Sequence, residues 1–430
     1  MFYIVLLVYL FLAFVYRKKA LVLIMLLLQV VSVIAAIVIQ YDDLGYDQNT
    51  LFSLLTILIC TVSIILPWDS LNKIQMIECN SISRLNKLTN LLLWLSGFTF
   101  LVLLVVAVVV NITVSDINAF KYEGDTAMEF YYSMLPFNVK FFILALYLYY
   151  LSYFLLPLHF YYLCREDKRK ALLCLLFSTN IILYGMAFFS RWTIVEYLMY
   201  YVAMRITFDR FLPKETKNRK QKRRELLYIG IGVLVFLLIT ISRFSDNIDI
   251  ERKIESSSPI QNPVVYSFFD YLGQSNHYGI KFLNSYNGQT FQGDYALSAT
   301  NTFLSALGLT KKTDYHLALD TLWDNFHGFP GWTAYTIYDV GYIGTILVLF
   351  IYILLVSVKR RSLPVSRLLL LSCLIQIPLC AIFYSKLSQV IFLCFIYLFI
   401  YLFLNFNVDR NYEKSVLSAG EADKNAFIQD

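Results

Sequence analysis

Eight side chains in this sequence could do chemistry, and each stands within or beside a long apolar run: Arg191, Glu196, Arg243, His327, Thr333, Tyr335, Thr336 and Asp339. Polar groups at membrane depth are costly, which makes them functional candidates by default. Arg191 and Arg243 each close an apolar run. A guanidinium is a permanent cation with a planar fork of donors, a shape that suits phosphate and pyrophosphate. The plainer reading is that each snorkels to lipid phosphates. Glu196 lies five residues past Arg191, inside the next apolar run. It cannot stay charged there unpaired. Either it pairs with an arginine and orients it, or it is held neutral in a cavity.

The stretch "NFHGFPGWTAYTIYDVGYIGTILVLFIY" runs from Asn325 to Tyr352. Its second half is an ordinary membrane helix, whereas its first half is polar. Asp339 lies seven residues beyond Trp332, about 10 Å deep at the helical rise. Thr333, Thr336 and Asp339 are spaced by three and share one face, which is expected to line a wet cavity. Gly341 and Gly344 have the same spacing and read as a surface for close approach of a neighbouring helix. His327 sits just above, on the turn HGFPG. The structural alternative is that Asp339 satisfies a buried arginine. Tyr335 belongs to an aromatic content of 17%. Aromatic rings stack on sugar faces, and they equally form interfacial belts. Of the other histidines, His277 and His316 read as solvated and His159 as packing.

These groups must be positioned by membrane helices. The chain is 58% hydrophobic and 15% charged, against about 25% charged for a soluble protein. Apolar runs of spanning length recur throughout. Eleven spans are expected, near 2–16, 20–40, 51–68, 91–111, 139–164, 171–190, 193–208, 226–243, 333–358, 368–385 and 390–406. The fold class is therefore an all-α polytopic membrane protein. Placing loops 17–19, 69–90, 165–170, 209–225 and 359–367 inside, with the C-terminal tail, collects 25 of the 36 Lys and Arg residues. The positive-inside rule then sets the N-terminus outside and the C-terminus inside. Trp68, Trp192 and Trp332 fall at span ends, as interfacial anchors would.

The domain order that follows is 1–243, eight spans; 244–332, one large extracytoplasmic loop; 333–406, three spans; and 407–430, a cytoplasmic tail. The loop becomes aromatic and amphipathic in "VVYSFFDYLGQSNHYGIKFLNSYNG" and "YALSATNTFLSALGL". Runs this short suit helices lying on the membrane surface or packed over a cavity. The net charge of +6 comes from topology-setting loops and is no sign of a nucleic-acid partner. The densest basic block, "KETKNRKQKRRE" (214–225), reads as a topology lock that attracts anionic lipid headgroups. The seven cysteines show neither a disulfide framework nor zinc spacing.

Three stretches resemble the Wzy-type oligosaccharide repeat-unit polymerases of O-antigen, capsule and exopolysaccharide synthesis. They are "FFSRWTIVEYL" (188–198), "YLGQSNHYGIKFLNS" (271–285) and "TAYTIYDVGYIG" (333–344). Span count and loop position are similar too. The chain departs from the family pattern at Gly331, Trp332 and Ile337, where an Asn and an Arg are usual. The resemblance implies a GT-C-like fold and a reaction on the outer face of the bacterial cytoplasmic membrane. There a growing glycan on undecaprenyl pyrophosphate would pass to the terminal hydroxyl of a new lipid-linked repeat unit, with undecaprenyl pyrophosphate leaving. No metal or other cofactor is implied. A flippase and a chain-length regulator are the implied partners, beside the lipid-linked glycans and membrane lipids.

On that reading Arg191 and Arg243 meet the leaving pyrophosphate, with Thr333, Thr336 and Tyr335 beside the substrate. His327 is the first choice of general base, followed by Asp339 and Glu196. Two rivals stand: a ligase of similar fold, and a polysaccharide flippase or transporter.

Overall fold

A computed structural model of the chain describes residues 1–39, 48–114, 131, 133–190, 192–213, 223, 227, 230, 259–310, 329–405 and 415–418. In chain order the helices are α1 (Phe2–Val15), α2 (Ala20–Ile39), α3 (Gln48–Ile65, continued as a 3-10 helix to Lys73), α4 (Ile82–Thr113), α5 (Val139–Leu148) and α6 (Ser152–Cys164). Next come α7 (Lys168–Ser178), α8 (Asn180–Ala187), α9 (Trp192–Phe208), α10 (Pro263–Ser285) and α11 (Asp294–Ala306). The last are α12 (Gly331–Val356), α13 (Val365–Leu374), α14 (Gln376–Cys380) and α15 (Leu387–Asn405). Three short strands, β1 (Met76–Cys79), β2 (Ser362–Pro364) and β3 (Ser415–Ser418), complete the set.

The chain is a mostly helical, multi-pass membrane protein. Among the described residues, seven helical stretches are long and apolar enough to cross a bilayer: Ala20–Ile39, Gln48–Lys73, Ile82–Thr113, Val139–Cys164, Lys168–Ala187, Gly331–Val356 and Leu387–Asn405. Phe2–Val15 and Val365–Cys380 are shorter apolar helical stretches. The expected span at 226–243 lies, apart from residues 227 and 230, outside the described residues.

Two compact units divide the chain. The first comprises Met1–Lys73, Phe244–Lys359 and Cys373–Tyr397. The described helices of the long loop, α10 and α11, belong to this unit together with α1–α3 and α12. The α10 helix starts at an Asn262 cap, whose Oδ1 accepts the Val264 and Val265 amides at 3.0 and 3.1 Å. It then packs against α2, α3 and α12. Small and polar residues make that seam. A Cβ at Gly273 would lie 2.8 Å from the Ala36 nitrogen, and one at Gly279 would lie 2.8 Å from the Pro330 carbonyl oxygen. Ser32 Oγ donates to the Leu272 carbonyl at 2.7 Å and accepts from Asn276 Nδ2 at 2.8 Å. Asn284 accepts from Ser53 and donates to Thr50. Where lipid removes the hydrophobic drive between helices, close backbones and such bonds hold them together. Of the two expectations for this segment, lying on the membrane surface or packing over a cavity, α10 shows packing against other helices; His277, expected to be solvated, is only 2% exposed.

The tryptophans are corrected too. Trp68, Trp192 and Trp332 are all buried in protein and do not face headgroups. Trp68 Nε1 donates to the Tyr352 hydroxyl at 2.8 Å, and that hydroxyl reaches the Leu374 carbonyl at 3.4 Å. The Leu374 carbonyl is available because Pro378, four residues on, has no N–H to give it.

The second unit comprises Ile74–Arg243, Arg360–Ser372 and Leu398–Asp430. Here α4 packs on α5 and α8, and α6 packs on α7 and α9. Buried polar groups pin it: Asn180 Nδ2 donates to the Ser96 carbonyl and to Ser152 Oγ. The expected packing role of His159 agrees with its burial and with Nδ1 standing 2.8 Å from the Ala171 carbonyl. The unit also holds a departure from an all-α chain. β1 pairs in parallel with β2, and antiparallel with β3 from the C-terminal tail, in the order β2–β1–β3.

Candidate functional site

The candidate groups among the described residues fall into two places, one in each unit. The first forms where α12 begins. Gly331 adopts φ +74°, and a Cβ there would meet Ser275 at 3.0 Å. The entry of α12 is thus wedged against α10. Ten residues on, the helix breaks: Gly341 has φ 72° and ψ 176°, a conformation that is essentially glycine's alone. The break corrects the reading of the glycine pair. Gly341 is there for its backbone, and the nearest atoms to a Cβ at Gly344 belong to Val340 of the same helix.

A broken helix leaves carbonyls without donors. The segment joining α10 to α11 supplies them. The amide of Phe291 donates to the Tyr338 carbonyl at 3.0 Å, and that of Gly293 to the Asp339 carbonyl at 3.1 Å. The favour is returned by the Asp339 side chain. Its Oδ1 accepts the Tyr295 amide at 3.0 Å and its Oδ2 the Ala296 amide at 2.9 Å. These are first-turn N–H groups of α11, whose own cap position is Gly293 and carries no side-chain acceptor. A carboxylate at a helix N-terminus also meets the favourable end of the helix dipole.

The polar face of α12 is consequently buried in protein. Thr333, Thr336 and Asp339 are all buried, and protein groups occupy them. Thr336 Oγ1 donates to the Trp332 carbonyl at 2.8 Å, and Thr333 shares a hydrogen bond with Cys60 of α3. The expected wet cavity on that face is therefore corrected to a packed seam. The acceptor capacity of Asp339 goes to the α11 N-terminus, where an arginine partner was one expectation.

Tyr335 points a different way. It is half-buried, with its ring stacked on Tyr295 of α11 at 4.9 Å between centroids and 8° between planes. The Tyr295 hydroxyl donates to the Ser385 carbonyl at 3.0 Å. Ser298 and Ser388 hydrogen-bond at 2.7 Å, tying α11 to the start of α15. Beside them is Lys386, the one buried Lys or Arg among the described residues, at 3% exposure. Its ammonium donates to Gln389 Oε1 and stands 5.2 Å over the Tyr384 ring. Neither Lys386 nor Tyr295 stands out in the sequence. The only signal for Lys386 is a single cation in the short link between two apolar runs.

The second cluster surrounds Glu196. It is 1% exposed, and the Tyr153 hydroxyl donates to its Oε1 at 2.5 Å. One turn along, the Tyr200 hydroxyl donates to the Tyr153 carbonyl at 2.6 Å. The turn from α8 to α9 is tight. The Ser190 amide donates to the Gly185 carbonyl at 2.7 Å, and Thr193 Oγ1 donates to the Ser190 carbonyl at 2.9 Å. A Cβ at Gly185 would lie 1.7 Å from Thr193 Oγ1, so this turn demands glycine. It brackets Arg191, which itself lies outside the described residues, as do Arg243, His316 and His327. Tyr153 was also silent in the sequence, one tyrosine among 33.

The chain matches no protein-family model, no curated protein and no solved structure.

Proposed function

We propose that the chain is a membrane glycosyltransferase that polymerises lipid-pyrophosphate-linked oligosaccharide repeat units into a surface polysaccharide. On this reading the fold is GT-C-like, with about eleven spans, and the reaction faces the outside of the bacterial cytoplasmic membrane. The observation that carries the reading is the meeting of two motif-bearing stretches. Residues 271–285, on α10, pack directly against α12, whose first half holds 333–344. Two segments that resemble one family, widely separated in the chain, belong to one packed structure.

The roles follow from the chemistry. Arg191 and Arg243 stabilise the charge developing on the departing pyrophosphate. His327 takes the proton of the attacking hydroxyl. Asp339 is a poor base, since both its oxygens already accept backbone amides. Tyr335 offers an aromatic face to a sugar ring. Lipid-linked glycans are the substrates, with a flippase upstream and a chain-length regulator as a partner.

A transporter with a broken helix commonly uses the exposed termini at the break to hold its cargo. At Gly341 the adjoining Tyr338 and Asp339 carbonyls are taken by Phe291 and Gly293, which speaks against cargo held by those carbonyls. A ligase would share the donor chemistry, and deletion separates the two. Cells without a polymerase hold single repeats on the lipid carrier. Cells without a ligase accumulate finished polymer on it, and that result would refute the reading.

A further inference from the structure

The contacts of Asp339 point to a role other than acid–base chemistry. We infer that Asp339 is a positioning residue: it pins α11 to the broken entrance of α12 and so holds Tyr295 in register with Tyr335, where a sugar ring of the substrate is received. This role rests on the polymerase reading given above.

The geometry is specific. Among the described residues four backbone amides of the 291–296 segment are seen to donate to α12, and Asp339 accepts three of them: its carbonyl accepts from Gly293, and its carboxylate from Tyr295 and Ala296. The fourth is Phe291 to the Tyr338 carbonyl, one residue away. The backbone around this joint is built for a sharp reversal. Gly288, Gln292, Gly293 and Gly341 all have positive φ, and Gln292 tolerates it without being glycine. The joint sets the register of the two rings, since Tyr295 follows Asp294 at the start of α11 while Tyr335 lies one turn before Asp339; the Tyr295 hydroxyl on the Ser385 carbonyl and Ser298 on Ser388 hold α11 from its other side. If the joint opens, the Tyr295 ring leaves Tyr335 and its hydroxyl leaves the Ser385 carbonyl.

Three variants separate positioning from acid–base chemistry. Asp339→Asn keeps one oxygen acceptor, whereas Asp339→Ala keeps none. Ala296→Pro deletes a donor from the α11 side and leaves the carboxylate intact, since proline is tolerated in the first turn of a helix. Turnover is measured in liposomes, with lipid-linked repeat units extracted from cells in which the gene is deleted. A positioning role predicts that KM rises by about tenfold for each lost hydrogen bond, that kcat stays within about twofold, and that Ala296→Pro falls in line with Asp339→Asn. Equal loss of kcat in Asp339→Asn and Asp339→Ala, with Ala296→Pro unaffected, would overturn it.

Hydrogen exchange at the amides of residues 294–300 gives a readout independent of activity. Exchange should quicken in Asp339→Ala and less in Asp339→Asn. Unchanged exchange in both would refute the pin whether or not the protein polymerises glycans. A wild-type protein that makes no polymer but shows the exchange effect would refute the polymerase reading and leave the joint standing.

Discussion

Gly273 of α10 and Ala36 of α2 meet backbone to backbone: a Cβ on Gly273 would lie 2.8 Å from the Ala36 nitrogen and 3.0 Å from its Cα. Neither helix has a flexible side chain to yield at that point. Gly273→Ala should therefore cost about 1–3 kcal/mol, as overpacking does in a filled interior. The check is the unfolding temperature of the detergent-purified protein. An unchanged temperature would mean that α10 does not pack on α2 as described.

Gly341→Ala tests the break in α12. An alanine at φ 72° and ψ 176° carries strain of about 1–3 kcal/mol. The helix would tend to straighten and draw Tyr338 and Asp339 away from the 291–296 segment. We expect lower stability together with faster proteolysis in that segment. Lower stability with no change in cleavage there would locate the strain elsewhere.

Tyr153→Phe removes the hydroxyl that donates to Glu196 at 2.5 Å. Taking one partner from a buried polar pair costs about 1–3 kcal/mol. Glu196→Gln should cost less, because the amide oxygen still accepts the same hydroxyl. Thermal unfolding of the two variants side by side decides the matter, and the reverse order would contradict the pairing.

Arg191→Ala, Arg243→Ala and His327→Ala test the assigned chemistry directly. Each arginine variant should lose polymer yield by about 100-fold or more, as loss of a charge-stabilising group does, at normal protein level in the membrane. Normal polymer length and yield in either would remove it from the pyrophosphate site. For His327→Ala, turnover intact across a pH series would dismiss the histidine as the base.

Much of the helical framework was legible because its cause is local. The run from Ala20 to Ile39 is apolar at nearly every position, and a span needs nothing more. What the sequence hid depends on partners far along the chain. Asn276 is tied to Ser32 across 244 residues, so the seat of α10 inside the first unit has no local signature. That Asp339 lies inside a run of spanning length was readable, but its partners are the backbone amides of Tyr295 and Ala296, and amides are common to nearly every residue type. A glycine spaced three from another looks the same whether it serves a helix contact or a break, and φ at Gly341 decides it. Trp68 stands at a span end as an anchor would, yet its indole N–H is turned inward to Tyr352.

Reconstitution tests the central claim most directly. The purified protein is placed in liposomes with its lipid-pyrophosphate-linked repeat unit and a chelator, and the products are resolved on a gel. The account predicts a glycan ladder that disappears in the Arg191→Ala and Arg243→Ala variants. Single repeats moved across the bilayer, with no ladder, would contradict it.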